Sequence, residues 1–254
     1  MTRKPIVAGN WKMNKTHTEA LSLVQTLSYE LGEKDYERAD VVVCPPFTAL
    51  RTVQLVLEED HIPIDLGAQN LHWEDEGAFT GEISGAFLAS LHCRYVIVGH
   101  SERRTYFGET DETVNKRVQA AYRHDLIPIV CVGETADERD TGRTEEVVGQ
   151  QVRDGLRGLT KDQFARLVVA YEPVWAIGSG RTPTPEEANE TIGAIRRVLA
   201  EVGGDGAAQG IRIQYGGSVS AGNIATFMAQ PEIDGALVGG ASLDPRSFAM
   251  IVRF

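Results

Sequence analysis

The chain is short of cysteine, of uninterrupted apolar sequence and of positive charge, and each shortage removes a class of function. Three cysteines, Cys44, Cys93 and Cys131, are odd in number, widely spaced and form no CxxC pair. Neither a disulfide framework nor a zinc site is signalled, and each lies in or beside an apolar run, the setting of reduced core thiols. No stretch approaches the roughly 18 consecutive apolar residues of a membrane helix, and the opening MTRKPIVAGNW has no apolar run of signal-peptide length, so the expected location is cytoplasmic. With 25 Lys and Arg against 36 Asp and Glu the formal net charge is -11, which argues against nucleic acid or an anionic membrane as partner. An anionic substrate would need positive potential built locally against that balance. The chain also lacks a linker rich in proline or serine, a Walker A motif and an HExxH pair. Gly178-Ser179-Gly180 resembles half of a dinucleotide fingerprint but has no third glycine and opens no helix directly.

What is present is a repeat of short apolar runs: PIVAG (5–9), VVVC (41–44), IPIDLGA (62–68), YVIVG (95–99), IPIVCV (127–132), LVVAY (167–171), IRIQY (211–215) and GALVG (235–239). They are β-branched and nearly continuous, as strands buried on both faces are. Segments of helical period separate them. Residues 18–31 put Ala20, Leu21, Val24, Leu27 and Leu31 on one face, and 113–122 do the same with Val114, Val118 and Ala121. Thr184, Pro185 and Glu187 form a helix start with a capping box, whose body runs to Gly203 and Gly204. Eight alternating β and α units in 254 residues predict a parallel sheet closed into a (β/α)8 barrel of one domain, residues 1–254, with an open doubly wound sheet as the alternative.

Polar and glycine residues stand just after these runs: Asn10, Trp11 and Lys12 after the first, Gln69 and Asn70 after the third, and His100, Ser101 and Glu102 after the fourth. Glu172 follows the sixth, Gly216, Gly217 and Ser218 the seventh, and Gly239 and Gly240 the eighth. They converge on the strands' carboxyl ends, where barrel enzymes build their sites. The two glycine pairs let backbone N–H groups approach an anion, and a short helix from Gly240 is expected to turn its positive end there. Lys12, behind Trp11, is placed as a buried cation balancing phosphate and oxyanion charge. His17, His61, His72, His92 and His124 lack strand-end context and are expected to be structural or solvated. In LVVAYEPVWAIGSGRTP (167–183), Pro173 stops a strand directly after Glu172, and a small, glycine-broken segment follows. This is the pattern of a base beneath a lid.

Read together, AGNWKMN (8–14), IVGHSERR (97–104), AYEPVWAIGSG (170–180), YGGSV (215–219) and GALVGGASL (235–243) resemble the triosephosphate isomerases, in order from the first strand to the last helix. The resemblance implies a TIM barrel and a cytoplasmic aldose–ketose isomerase of glycolysis and gluconeogenesis that uses no cofactor and no metal. It implies Glu172 as catalytic base, neutral His100 as electrophile, and Lys12 and Asn10 as substrate-orienting groups. Gly178, Ser218, Gly239 and Gly240 become phosphate ligands, with Glu102 and Thr80 in support. The family is an established case of a carboxylate base beside a neutral imidazole, so these roles come with the resemblance and not from the spacing. The reaction asks for the same groups: one movable carboxylate serving two carbons, and neutral donors on the two oxygens.

Residues 71–81, LHWEDEGAFTG, are too long and mixed for a tight βα loop. In the resembled family this loop inserts into a neighbouring subunit, its Thr80 tip near the partner subunit's Lys12, so a homodimer is expected. Two departures stand out. Family lids end in a pattern like GTGKTA, whereas Ser179, Arg181 and Pro183 hold the tip and second hinge here, and Pro183 fixes φ where a hinge moves. The chain also ends at Phe254, early for the family, which calls for a short last helix. Other functions stay open on the residues: a Schiff-base aldolase using Lys12, or a non-catalytic phosphate-binding barrel.

Overall fold

Eight parallel strands close on themselves in sequence order in the computed structural model, which describes residues 3–177 and 180–254. They are Ile6–Asn10 (β1), Asp40–Cys44 (β2), Asp65–Ala68 (β3), Tyr95–Val98 (β4), Ile127–Val132 (β5), Val168–Tyr171 (β6), Arg212–Tyr215 (β7) and Gly235–Val238 (β8). β1 closes the ring, with Ile6 beside both Asp40 and Gly235. The third run begins earlier than its strand. The Ile62 N–H bonds back to Leu57 O at 2.9 Å and the Ile64 N–H to Ile62 O at 2.8 Å, so those residues complete a helix end before the ladder starts.

The runs are continuous because each strand buries both faces. Ile6, Ala8, Val42, Tyr95, Ile97, Ile129, Val168 and Ala170 pack inside the barrel. Their neighbours Val7, Val43, Val96, Val98, Val130 and Val169 pack outward against the helices. The alternation has a functional result: on β1 the series Ile6, Ala8 continues to Asn10, and on β6 Val168, Ala170 continues to Glu172. Both polar groups therefore surface inside the barrel's carboxyl-terminal mouth. On β4 the same period would spend its next inward position on residue 99. Gly99, at φ 71, turns the chain there, and His100 comes to face the mouth instead.

Helix boundaries follow side-chain chemistry. Thr184 accepts the Glu187 N–H at 3.2 Å while the Glu187 carboxylate accepts the Thr184 N–H at 2.8 Å, starting helix Pro185–Gly203. Gly204, at φ 89, ends it. Capping boxes at Thr16 and Thr110 start His17–Glu30 and Asp111–Arg123, each cap worth about 1 kcal/mol. The last helix, Pro245–Val252, is short, as expected. Among the described residues no helix is long and apolar enough to cross a membrane.

Candidate active site

A cavity of about 660 Å³ opens at the carboxyl ends of the strands, and Asn10, Lys12, His100, Glu102, Glu172, Ser218, Gly239 and Gly240 all line it. Residues from β1, β4, β6, β7 and β8 that are distant in sequence are thus brought to one wall. Gly178 lies outside the described residues. Thr80 sits on the exposed part of loop 71–81 and does not line this cavity of its own chain.

Glu172 is 2 % exposed and held from three sides. His100 Nε2 lies 2.9 Å from its Oε1, the Ser101 N–H donates to its Oε2 at 2.9 Å, and the Ser101 hydroxyl donates to its Oε1 at 3.2 Å. Burial pushes this carboxyl up, but the His100 attraction and hydrogen bond, with the Ser101 N–H and the Cys131 thiol, outweigh burial and hold it below its ordinary value. Glu172 is therefore a carboxylate at rest. Packing keeps it in place: a Cβ on Gly133 would lie 1.7 Å from the Glu172 carbonyl oxygen, so only glycine lets the end of β5 approach this closely.

His100 caps helix Ser101–Phe107, its Nδ1 accepting the Glu102 N–H at 3.2 Å. Burial favours the neutral ring, but the attraction and hydrogen bond of Glu172, with the attraction of Glu102, outweigh it and raise the ring's affinity for a second proton above the ordinary imidazole value. That proton would have to enter at Nδ1, where a backbone N–H already points. With Nδ1 taken by that N–H, the ring hydrogen that faces Glu172 is the one on Nε2.

Lys12 has φ 53, a left-handed conformation that costs a lysine about 1–2 kcal/mol. Its N–H donates to Asn10 Oδ1 at 3.0 Å and its ammonium meets Glu102 Oε1 at 2.5 Å. The side chain is 31% exposed, so the expected buried cation is instead a half-exposed one, neutralised at rest by Glu102. The short helix expected from Gly240 is present as a four-residue 3-10 turn, Gly240–Leu243, which carries little macrodipole.

The segment after Glu172 begins with a 3-10 turn, Val174–Ala176. Trp175 Nε1 donates to Glu134 Oε1 at 2.9 Å, and the Tyr171 hydroxyl and Arg139 reach the same oxygen at 3.1 and 3.3 Å. The Arg139 and Arg181 guanidiniums lie 4.4 and 4.9 Å from the Trp175 ring. Ile177 lines the cavity. Of the histidines set aside, His72 stacks with Trp73 at 4.4 Å and Phe79 at 4.5 Å to organise loop 71–81, while His92 and His124 pair with Glu58 and Asp75. Structural or solvated positions are what the sequence led us to expect of them, and His92 is largely exposed.

The sequence reading missed Ser101 as a side-chain ligand of Glu172, Gly133 as its seat and Glu134 beneath the lid. Ser101 stood next to a chosen histidine, but nothing in the sequence announces a contact across 71 positions.

A sequence profile of the family described as triosephosphate isomerase matches residues 5–254. The chain belongs to the triosephosphate isomerase family. It is 60% identical over 252 residues to the triosephosphate isomerase of Moorella thermoacetica, covering 99% of both chains. With that of Streptomyces coelicolor it shares 54% over 253 residues, covering 100% of this chain and 98% of the relative. With that of a Roseiflexus species it shares 56% over 252 residues, covering 99% and 98%. This triosephosphate isomerase family member is thus an isomerase on a (β/α)8 barrel.

Proposed function

We propose that the protein interconverts D-glyceraldehyde 3-phosphate and dihydroxyacetone phosphate by proton transfer through an enediolate, serving glycolysis and gluconeogenesis in the cytoplasm. The observation that carries this reading is the 2.9 Å contact between Glu172 and His100 at the edge of a cavity that also holds Lys12 and the two glycine pairs. Glu172, ionised at rest, leaves Ser101 and His100 to take a carbon-bound proton and returns it to the adjacent carbon. Its departure frees the His100 Nε2–H to donate to the substrate oxygens, so one motion arms both the base and the electrophile. A neutral imidazole suits that task, because an imidazolium would surrender its proton to the enediolate. Lys12, released from Glu102, balances the phosphate and the developing oxyanion, and Asn10 fixes the Lys12 turn. Ser218, Gly239, Gly240 and Gly178 take the phosphate through their N–H groups.

Residues 174–183 act as the lid. An enediolate phosphate open to solvent can rotate out of plane and expel phosphate, a loss that a closed, fixed geometry suppresses. The test is a single assay: isomer formed, beside inorganic phosphate and methylglyoxal released, in the wild type and in a variant lacking residues 177–180. Isomerisation by the wild type with little elimination, and slower isomerisation with a sharply larger eliminated fraction in the variant, is the expected result. No isomerisation by the wild type would end the proposal. Loop 71–81 makes a homodimer in this reading, with Thr80 supporting the neighbouring site. Sedimentation should then give a dimer for the wild type and a nearly inactive monomer for a variant lacking residues 74–79.

A further inference from the structure

The left-handed turn that aims Lys12 into the cavity has to be held by something other than the sheet. At φ 53 the residue leaves the ladder, and among the described residues no backbone N–H donates to its carbonyl. The Gln69 side chain does so. Its Nε2 lies 2.8 Å from Lys12 O and 2.8 Å from Cys44 O, so its two amide hydrogens bridge the loop after β1 to the end of β2. Cys44 O also accepts the Trp11 N–H at 3.2 Å. Gln69 itself follows β3, so one amide ties three strand ends together. With the Lys12 N–H on Asn10 Oδ1 and the ammonium on Glu102, the lysine is fixed at its amide, its carbonyl and its tip.

We propose that Gln69 is a positioning residue of the isomerase: by donating to Lys12 O it keeps Lys12 in the left-handed turn and its ammonium directed at the substrate's phosphate and oxyanion. It touches no reacting atom and acts through Lys12. Without that donor the carbonyl is left without a partner, the turn relaxes toward the right-handed regions other residues prefer, and the ammonium swings away from the cavity. The proposal rests on the reading that Lys12 contacts the ligand.

Four proteins test it: the wild type, Gln69→Met, which keeps the length and loses both donors, Lys12→Met, and the double variant. The readout is the Kd of 2-phosphoglycolate by calorimetry, with KM and kcat wherever turnover can be measured. Gln69→Met is expected to weaken binding about tenfold, the scale of one lost hydrogen-bonded anchor, raising KM and also lowering kcat because Lys12 balances the developing oxyanion as well as the phosphate. In the Lys12→Met background the same change should leave Kd within about twofold, because the group it positions is gone. An equal weakening in both backgrounds, or none in the wild-type background, overturns the proposal. If Lys12→Met alone leaves Kd unchanged, it is the ligand-contact reading of Lys12 that fails. Should Gln69→Met not fold, Gln69→Glu keeps the shape and can donate only while protonated. Its KM relative to wild type should then climb with pH, and a ratio flat with pH overturns the proposal equally.

Discussion

The two ends of the barrel solve opposite problems with the same eight strands. At the amino-terminal end, charges are matched and the interior is shut. Asp40, first residue of β2, lies 2.9 Å from Lys4 and 2.5 Å from Arg212, first residue of β7, which also donates to the Tyr95 hydroxyl at 3.2 Å. Asp65 meets Arg94 at 2.9 Å. Asp234, just before β8, takes Arg196 at 2.6 Å and the Ile213 N–H at 2.9 Å. At the carboxyl-terminal end the charged groups surround an open cavity, Lys12 is left-handed, and the Glu172 hydrogen bonds are ones the proposed chemistry must break. The difference teaches that one end spends its polar groups on closure, while the other keeps them exchangeable. Substitutions at one end should move stability, and at the other turnover.

The sharpest test is at the mouth. Glu172→Gln keeps shape and removes the proton acceptor, so kcat should fall by about 10²–10⁴. Its unfolding free energy should change by no more than about 1–2 kcal/mol. Steady-state kinetics beside urea unfolding measures both, and wild-type kcat would remove Glu172 from the mechanism. At the closed end Arg196→Met should do the reverse. Arg196 is 6% exposed, so the substitution leaves Asp234 with Arg3 as its one remaining guanidinium partner and takes the Arg196 donor from the Ala208 and Ile211 carbonyls, at a cost of about 1–3 kcal/mol. KM and kcat of the folded protein should stay near wild type. A large kinetic effect without loss of stability would break the comparison.

The smallest expected effect is a pH dependence. Burial pushes the Asp40 carboxyl up, but its hydrogen bonds and attraction to Lys4 and Arg212 outweigh that and hold it below the ordinary carboxylate value. A depressed carboxyl stabilises the fold above its unfolded value, and that contribution is lost as pH falls through the folded one. Urea midpoints should therefore drop on acidification below the ordinary carboxylate range, and drop less in Asp40→Asn. An identical acid-side slope in the two proteins would show that the closed end draws nothing from this charge.

Much of this was legible beforehand, because its causes are local. Strands buried on both faces must be continuously apolar, and all eight were readable from that. Thr184, Pro185 and Glu187 marked a helix start through bonds spanning three residues. Asn10, His100, Glu172 and the glycine pairs stood at strand ends, and a barrel brings strand ends together. Less local features were missed or misjudged. Lys12 was expected buried, but its exposure depends on Glu102, which arrives from 90 positions away.

By itself, then, the sequence determined the period of burial, the caps and the residue types delivered to the mouth of the barrel, because each depends on neighbours within a few positions. Tertiary structure alone decided which of those groups meet: Ser101 on Glu172, Gln69 on the Lys12 carbonyl, Glu134 beneath Trp175. Hydrogen bonds of 2.8 to 3.2 Å are set by the closed barrel's register and by left-handed turns at Lys12 and Gly99. Neither a register nor a positive φ is written in residue spacing, and both emerge only when eight strands must satisfy their ladders at once.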